Sequence, residues 1–116
     1  MELQEVFKEK PTKLWNERMI EYADDLFTPE RLNLCDKLID NYLNQLISIQ
    51  DSDDQEKIMK LVEEIVVAFN ELNEENDYFI ETMEREELAE FIEKAAILAG
   101  LEVEEGQDIT EEWREW

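Results

Sequence analysis

Apolar residues recur at steps of three and four along most of the chain, and that spacing predicts helices. The longest stripe is Leu32, Cys35, Leu38, Ile39, Tyr42, Leu43, Leu46 and Ile49, one face of a helix that must be buried. Thr28-Pro29-Glu30 marks its start, with Thr28 placed to cap, Pro29 at the first helical position and Glu30 near the positive end of the dipole. A second stripe, Ile58, Leu61, Val62, Ile65, Val66, Phe69 and Leu72, lies opposite Glu56, Lys57, Lys60, Glu63 and Glu64. Ser52 with Gln55 three residues on has the spacing of a capping box ahead of it.

Two further helices are weaker in pattern. Leu14, Trp15, Met19, Ile20 and Tyr22 predict a short first helix from Lys13 to about Ala23, where Asp24-Asp25 interrupts it. Ile80, Met83, Leu88, Phe91, Ile92, Ala95 and Leu98 predict a last helix, with an interruption near Thr82, that runs to Gly100, the residue expected just past a helix end. Residues 1 to 12 mix charges around Val6 and Phe7 and stop at Pro11, reading as a flexible or short helical arm. In the tail, Leu101, Val103 and Ile109 sit among acids, and Thr110 is placed to cap a turn that sets Trp113 and Trp116 on one face. No alternating strand pattern occurs, and the chain has two glycines and two prolines. The expectation is an all-α fold: a compact bundle of about four helices with an acidic surface and a short C-terminal Trp-containing tail, residues 13 to 116 forming a single domain.

Composition supports a folded body. A chain of 116 residues, 43% of them apolar, buries roughly 65% of its unfolded surface around one core. No apolar run reaches a membrane span, and Met1-Glu2-Leu3-Gln4-Glu5 lacks the basic start of a signal peptide, so a cytoplasmic location is expected. The 33 acidic residues against 11 basic ones leave a net charge of −22. Phosphate-rich surfaces are repelled by such a chain, which argues against nucleic-acid and anionic-membrane partners and leaves a basic protein as the favoured partner class.

The chemistry available is narrow. With no histidine, a Ser-His-Asp or Cys-His device and the Glu-x-x-His ligands of a helical di-iron site are ruled out. Cys35 is the only cysteine, and its place on the apolar stripe makes it a small hydrophobe with a raised pKa. Asp51-Ser52-Asp53-Asp54 fails as a calcium loop because Glu56 and Val62 occupy the positions that need glycine and a bidentate acid, so helix capping is the better reading. Glu86-Glu87-Leu88-Ala89-Glu90, with Glu105-Gly106-Gln107-Asp108, is similar to the paired acidic motifs of all-α nucleotide pyrophosphohydrolases. That resemblance implies a magnesium site built on Glu86, Glu87, Glu90, Glu105 and Asp108. It is the least favoured reading, since so acidic a chain produces such spacings by accident and no cluster of Lys or Arg adjoins the motif to hold phosphates. No catalytic residue, resident metal or cofactor is assigned.

Tyr22-Ala23-Asp24-Asp25 followed by Phe27, Phe69-Asn70 followed by Leu72, and Arg114-Glu115-Trp116 carry a second resemblance over roughly residues 14 to 116. On these motifs the chain resembles a family of small acidic helical bacterial proteins of unknown function. The resemblance implies a small helical bacterial protein and lends no catalytic residues.

The expected function is a non-catalytic protein-binding module, immunity- or antitoxin-like, that engages a basic partner through an acidic face. An accessory or scaffold subunit is the alternative. Between Glu71 and Glu93 ten acids accompany only Arg85. On a helix that buries Ile80, Met83, Leu88, Phe91 and Ile92, the acids Glu81, Glu84, Glu86, Glu87, Glu90 and Glu93 fall on the outer faces. The partner-binding candidates are therefore Glu84, Glu87 and Glu90, with Tyr22, Asp24 and Asp25 as an aromatic and acidic cluster and Trp113 and Trp116 as hot-spot aromatics.

Overall fold

The computed structural model describes residues 3–22, 29–50, 52, 54–76, 78–104 and 106–116, without the side chains of Met19 and Tyr22. A leading 3₁₀ helix, Leu3–Glu9, is followed by four α-helices: α1 (Pro11–Tyr22), α2 (Pro29–Ile49), α3 (Gln55–Glu75) and α4 (Thr82–Leu98). The fold is an all-α bundle, and among the described residues there is no strand. No described helix is long and apolar enough to cross a membrane.

The most extensive pairing is α2 against α3, the two helices with the clearest apolar stripes. Ile39, Leu43 and Leu46 of α2 and Ile58, Val62, Val66 and Phe69 of α3 are fully buried. Each such side chain contributes roughly 1.5–3 kcal/mol relative to its exposed state. Leu88, Ile92, Ala95 and Ala96 of α4 complete this core, and Trp15 of α1 joins it. In α1 the stripe is narrow: Trp15 is buried while Leu14 and Ile20 remain exposed. The leading 3₁₀ helix buries Leu3 and Val6 in the same core and rests on α2 and α4. Tyr42 is the polar member of the centre. Its hydroxyl donates to Ile92 O at 2.8 Å, tying α2 to α4, and complete burial holds its pKa well above the ordinary phenol range.

Helix ends follow local chemistry. Gly100, at φ +116°, ends α4 in a Schellman arrangement: Gly100 N donates to Ile97 O and Leu101 N to Ala96 O, both at 3.0 Å. Pro29 opens α2 as its first residue, while Thr28, the expected cap, lies outside the described residues. The capping box is corrected. Asp54, not Ser52, caps α3 by accepting from Glu56 N and Lys57 N, Asp53 lies outside the described residues, and Gln55 turns its amide to the tail. After α3, buried Asn73 organises the exit. Its side-chain Oδ1 accepts from Ile80 N at 2.9 Å and its carbonyl from Tyr78 N at 2.8 Å, around a Tyr78 held in the left-handed region at φ +55°.

The phase of α4 differs from expectation. Ile80 is buried but precedes the helix, so it does not set the helical register. Met83 is 59% exposed and Glu84 only 7%, because Glu84 sits four residues before Leu88 on the inward face.

Candidate functional site

Two side-chain amides on α3 fasten the chain after α4. Gln55 Nε2 donates to Gly100 O at 2.8 Å while its Oε1 accepts from Glu102 N at 2.8 Å. About four turns along, Asn70 Nδ2 donates to Trp113 O at 2.8 Å and its Oδ1 accepts from Glu115 N at 2.9 Å. Each amide thus satisfies one backbone donor and one acceptor of the tail, which has no secondary-structure ladder of its own to do so. Trp116 closes the fastening. It is 9% exposed, meets Phe69 edge to face at 6.5 Å and lies under the Arg114 guanidinium, 5.6 Å from the ring centroid.

Asp108 shapes the turn before Trp113. Its Oδ1 accepts from Thr110 N and Thr110 Oγ1 at 2.9 and 2.6 Å, and its Oδ2 from Arg114 at 2.7 Å. Burial pushes this carboxyl upward, but the Thr110 and Arg114 hydrogen bonds and the Arg114 charge outweigh it and hold its pKa below the ordinary value.

Fastened this way, the tail and α4 enclose a groove of about 340 Å³ lined by Arg85, Glu86, Ala89, Glu90, Glu93, Asp108 and Arg114. Four acids and two arginines line it, and Arg114 already meets the charge of Asp108, so Glu86, Glu90 and Glu93 are its open carboxylates. Burial, then the charges of Asp108 and Glu90, raise the pKa of Glu93 above its ordinary value. The like charges therefore crowd one another, and a cation entering the groove relieves that repulsion.

The expected site residues divide. Glu90 lines the groove, joined by Glu86 and Asp108 from the acidic motif pair. Glu84 and Glu87 do not belong to an open acidic face, which corrects the expectation for them. Arg18 of α1 pairs with Glu87 and stands 3.5 Å from Glu84 Oε1, and Trp15 Nε1 donates to Glu87 at 3.4 Å. These two acids thus clasp α1 to α4. Trp113 is half-buried and Trp116 is built into the core, so neither stands out as a free aromatic pair. The side chain of Tyr22, and Asp24, Asp25 and Glu105, lie outside the described residues. Among the described residues no three Asp, Glu, Cys or His groups are placed to hold a metal ion. Cys35 is buried, and that burial, with the neighbouring Asp36 charge, outweighs a backbone hydrogen bond and pushes its thiol up to about 12, as its place on the stripe predicts.

Glu93 is the groove residue that sequence reasoning left among the general acids of the last helix. Its signal was present in the spacing Glu86, Glu90, Glu93, a ridge along one helix face. Compared with protein-family models, curated proteins and solved structures, the chain matches none.

Proposed function

We propose that this protein is a non-catalytic binding module, immunity- or antitoxin-like in kind, that captures a basic protein partner in the acidic groove between α4 and the tail. The observation that carries the reading is the placement of Glu86, Glu90 and Glu93 on one groove beside the Arg114-paired Asp108, with Glu93 already crowded by its neighbours. A lysine or arginine from a partner gains there from several carboxylates at once and removes their mutual repulsion. The net charge of −22 acts at longer range by steering a basic partner toward the chain and turning acidic ones away. An inhibitor of this kind works by occlusion and requires no catalytic group.

The test is capture of the partner from the native cell, followed by hydrogen-exchange mapping of the complex. Protection concentrated in residues 82–98 and 106–116 is the expected footprint. Protection confined to α2 or α3 would displace the groove from the account.

A further inference from the structure

A second cavity among the described residues is of the opposite character. It is a cleft of about 690 Å³ between the leading 3₁₀ helix, the start of α1 and the start of α2, and it shares no residue with the acidic groove. Among the described residues, Lys8, Lys10 and Lys13 line it against one acid, Asp36. In a chain whose acids outnumber its bases 33 to 11, that ratio is inverted locally.

The single acid is already engaged. Lys10 Nζ lies 2.9 Å from both Asp36 and Asp40, and Thr12 Oγ1 donates to Asp36 at 2.8 Å. Lys10 is thus already shared between two carboxylates, and the cations of the cleft still open to a ligand are the ammonium groups of Lys8 and Lys13. Among the described residues, the side chains of Lys8, Lys13, Asn16 and Asn33 enter no hydrogen bond or ion pair. Two cations and two carboxamides with unspent donors thus face one space, with Phe7, Pro29 and Leu32 supplying apolar lining. A few convergent polar groups over an apolar floor, in a volume of some hundreds of cubic ångströms, is the usual make-up of a small-molecule site.

We propose that this cleft binds a small organic anion, a phosphate monoester or carboxylate with an apolar body, held by Lys8 and Lys13 at its charged end and by Phe7 and Leu32 along its body. Lysine serves such a headgroup as a point charge, and the asparagine amides add directional donors.

The experiment uses the full chain and the fluorescent aromatic sulfonate 8-anilinonaphthalene-1-sulfonate as probe. Saturable, single-site enhancement is expected, displaced by phenyl phosphate or by phenylacetate, whichever competes better naming the preferred headgroup. Lys8→Gln/Lys13→Gln weakens the probe by about tenfold or more with an unchanged circular dichroism spectrum, since both side chains are exposed and unpaired. Asn33→Asp, which adds a negative charge without changing size, weakens it as well, and the distant Lys60→Gln does not. Absence of saturable binding, binding that survives in the double variant, or equal weakening by Lys60→Gln would overturn the assignment.

Discussion

Arg18 of α1 and Glu87 of α4, 69 residues apart in the chain, pair across the helix interface, and Arg18 also faces the buried carboxylate of Glu84. This one guanidinium is thus the counter-charge for two acids that an acidic-face reading assigns to solvent. Arg18→Ala leaves both without it, and a charged hydrogen-bonded partner of this kind is worth roughly 1.5–3 kcal/mol. The expected outcome is a loss of that size in urea unfolding, largely recovered when Glu84→Gln and Glu87→Gln are added. An unchanged midpoint for Arg18→Ala would show that the clasp contributes nothing.

Asn70 carries the end of the tail on two hydrogen bonds, so Asn70→Ala removes one donor and one acceptor from it. A cost of roughly 1–3 kcal/mol is expected. The diagnostic signature is local: amide exchange at Trp113 to Trp116 accelerates, and Trp116 fluorescence shifts to the red as its ring leaves Phe69. Uniform destabilisation with a blue-shifted tail would contradict the fastening.

Acidity acts on the groove in two directions. The raised pKa of Glu93 means the folded state holds that proton more tightly, so stability rises as pH falls toward the upper carboxylate range. The lowered pKa of Asp108 works in reverse. Its contribution is complete above the ordinary aspartate value of about 3.9 and is lost as pH falls through the lowered one. Unfolding midpoints measured across this range should therefore climb and then drop. Glu93→Gln should stabilise the protein near neutrality and flatten the climb, and Asp108→Asn should blunt the drop. A Glu93→Gln variant less stable than wild type at neutral pH would refute the crowding.

Much of the fold is legible because its signals are local. The stripes of α2 and α3 lie within single helices, and the end of α4 is set by Gly100, whose freedom at φ +116° any helix-stop rule anticipates. The failures share a different cause. Gln55 has the spacing of a capping box, but its amide is taken by Gly100 and Glu102, more than forty residues away. Glu84 reads as solvated until Arg18 arrives from another helix. Extending the α4 stripe backward through Ile80 and Met83 set its phase wrongly, since Ile80 is buried from the loop. The groove was half visible, as Glu86 and Glu90 share a ridge with Glu93. Asp108 is grouped with Glu86 and Glu90 by the paired acidic motifs, but the Gln55 and Asn70 bonds that hold the tail against α3 have no sequence signature. The lysine cleft draws on three elements and was not visible at all.

The rate at which the basic partner associates tests the acidic groove most directly. With the partner captured from the native cell, the association rate constant is measured for the wild type, for Glu86→Lys/Glu90→Lys and for Glu71→Lys, an exposed site on α3, across a range of salt. Glu86 and Glu90 are both exposed, so the fold survives their reversal. The groove reading predicts that the double variant associates at least about tenfold more slowly and with a shallower salt dependence, whereas Glu71→Lys changes little. Equal slowing by both variants, or a rate indifferent to salt and to the groove charges, would contradict it.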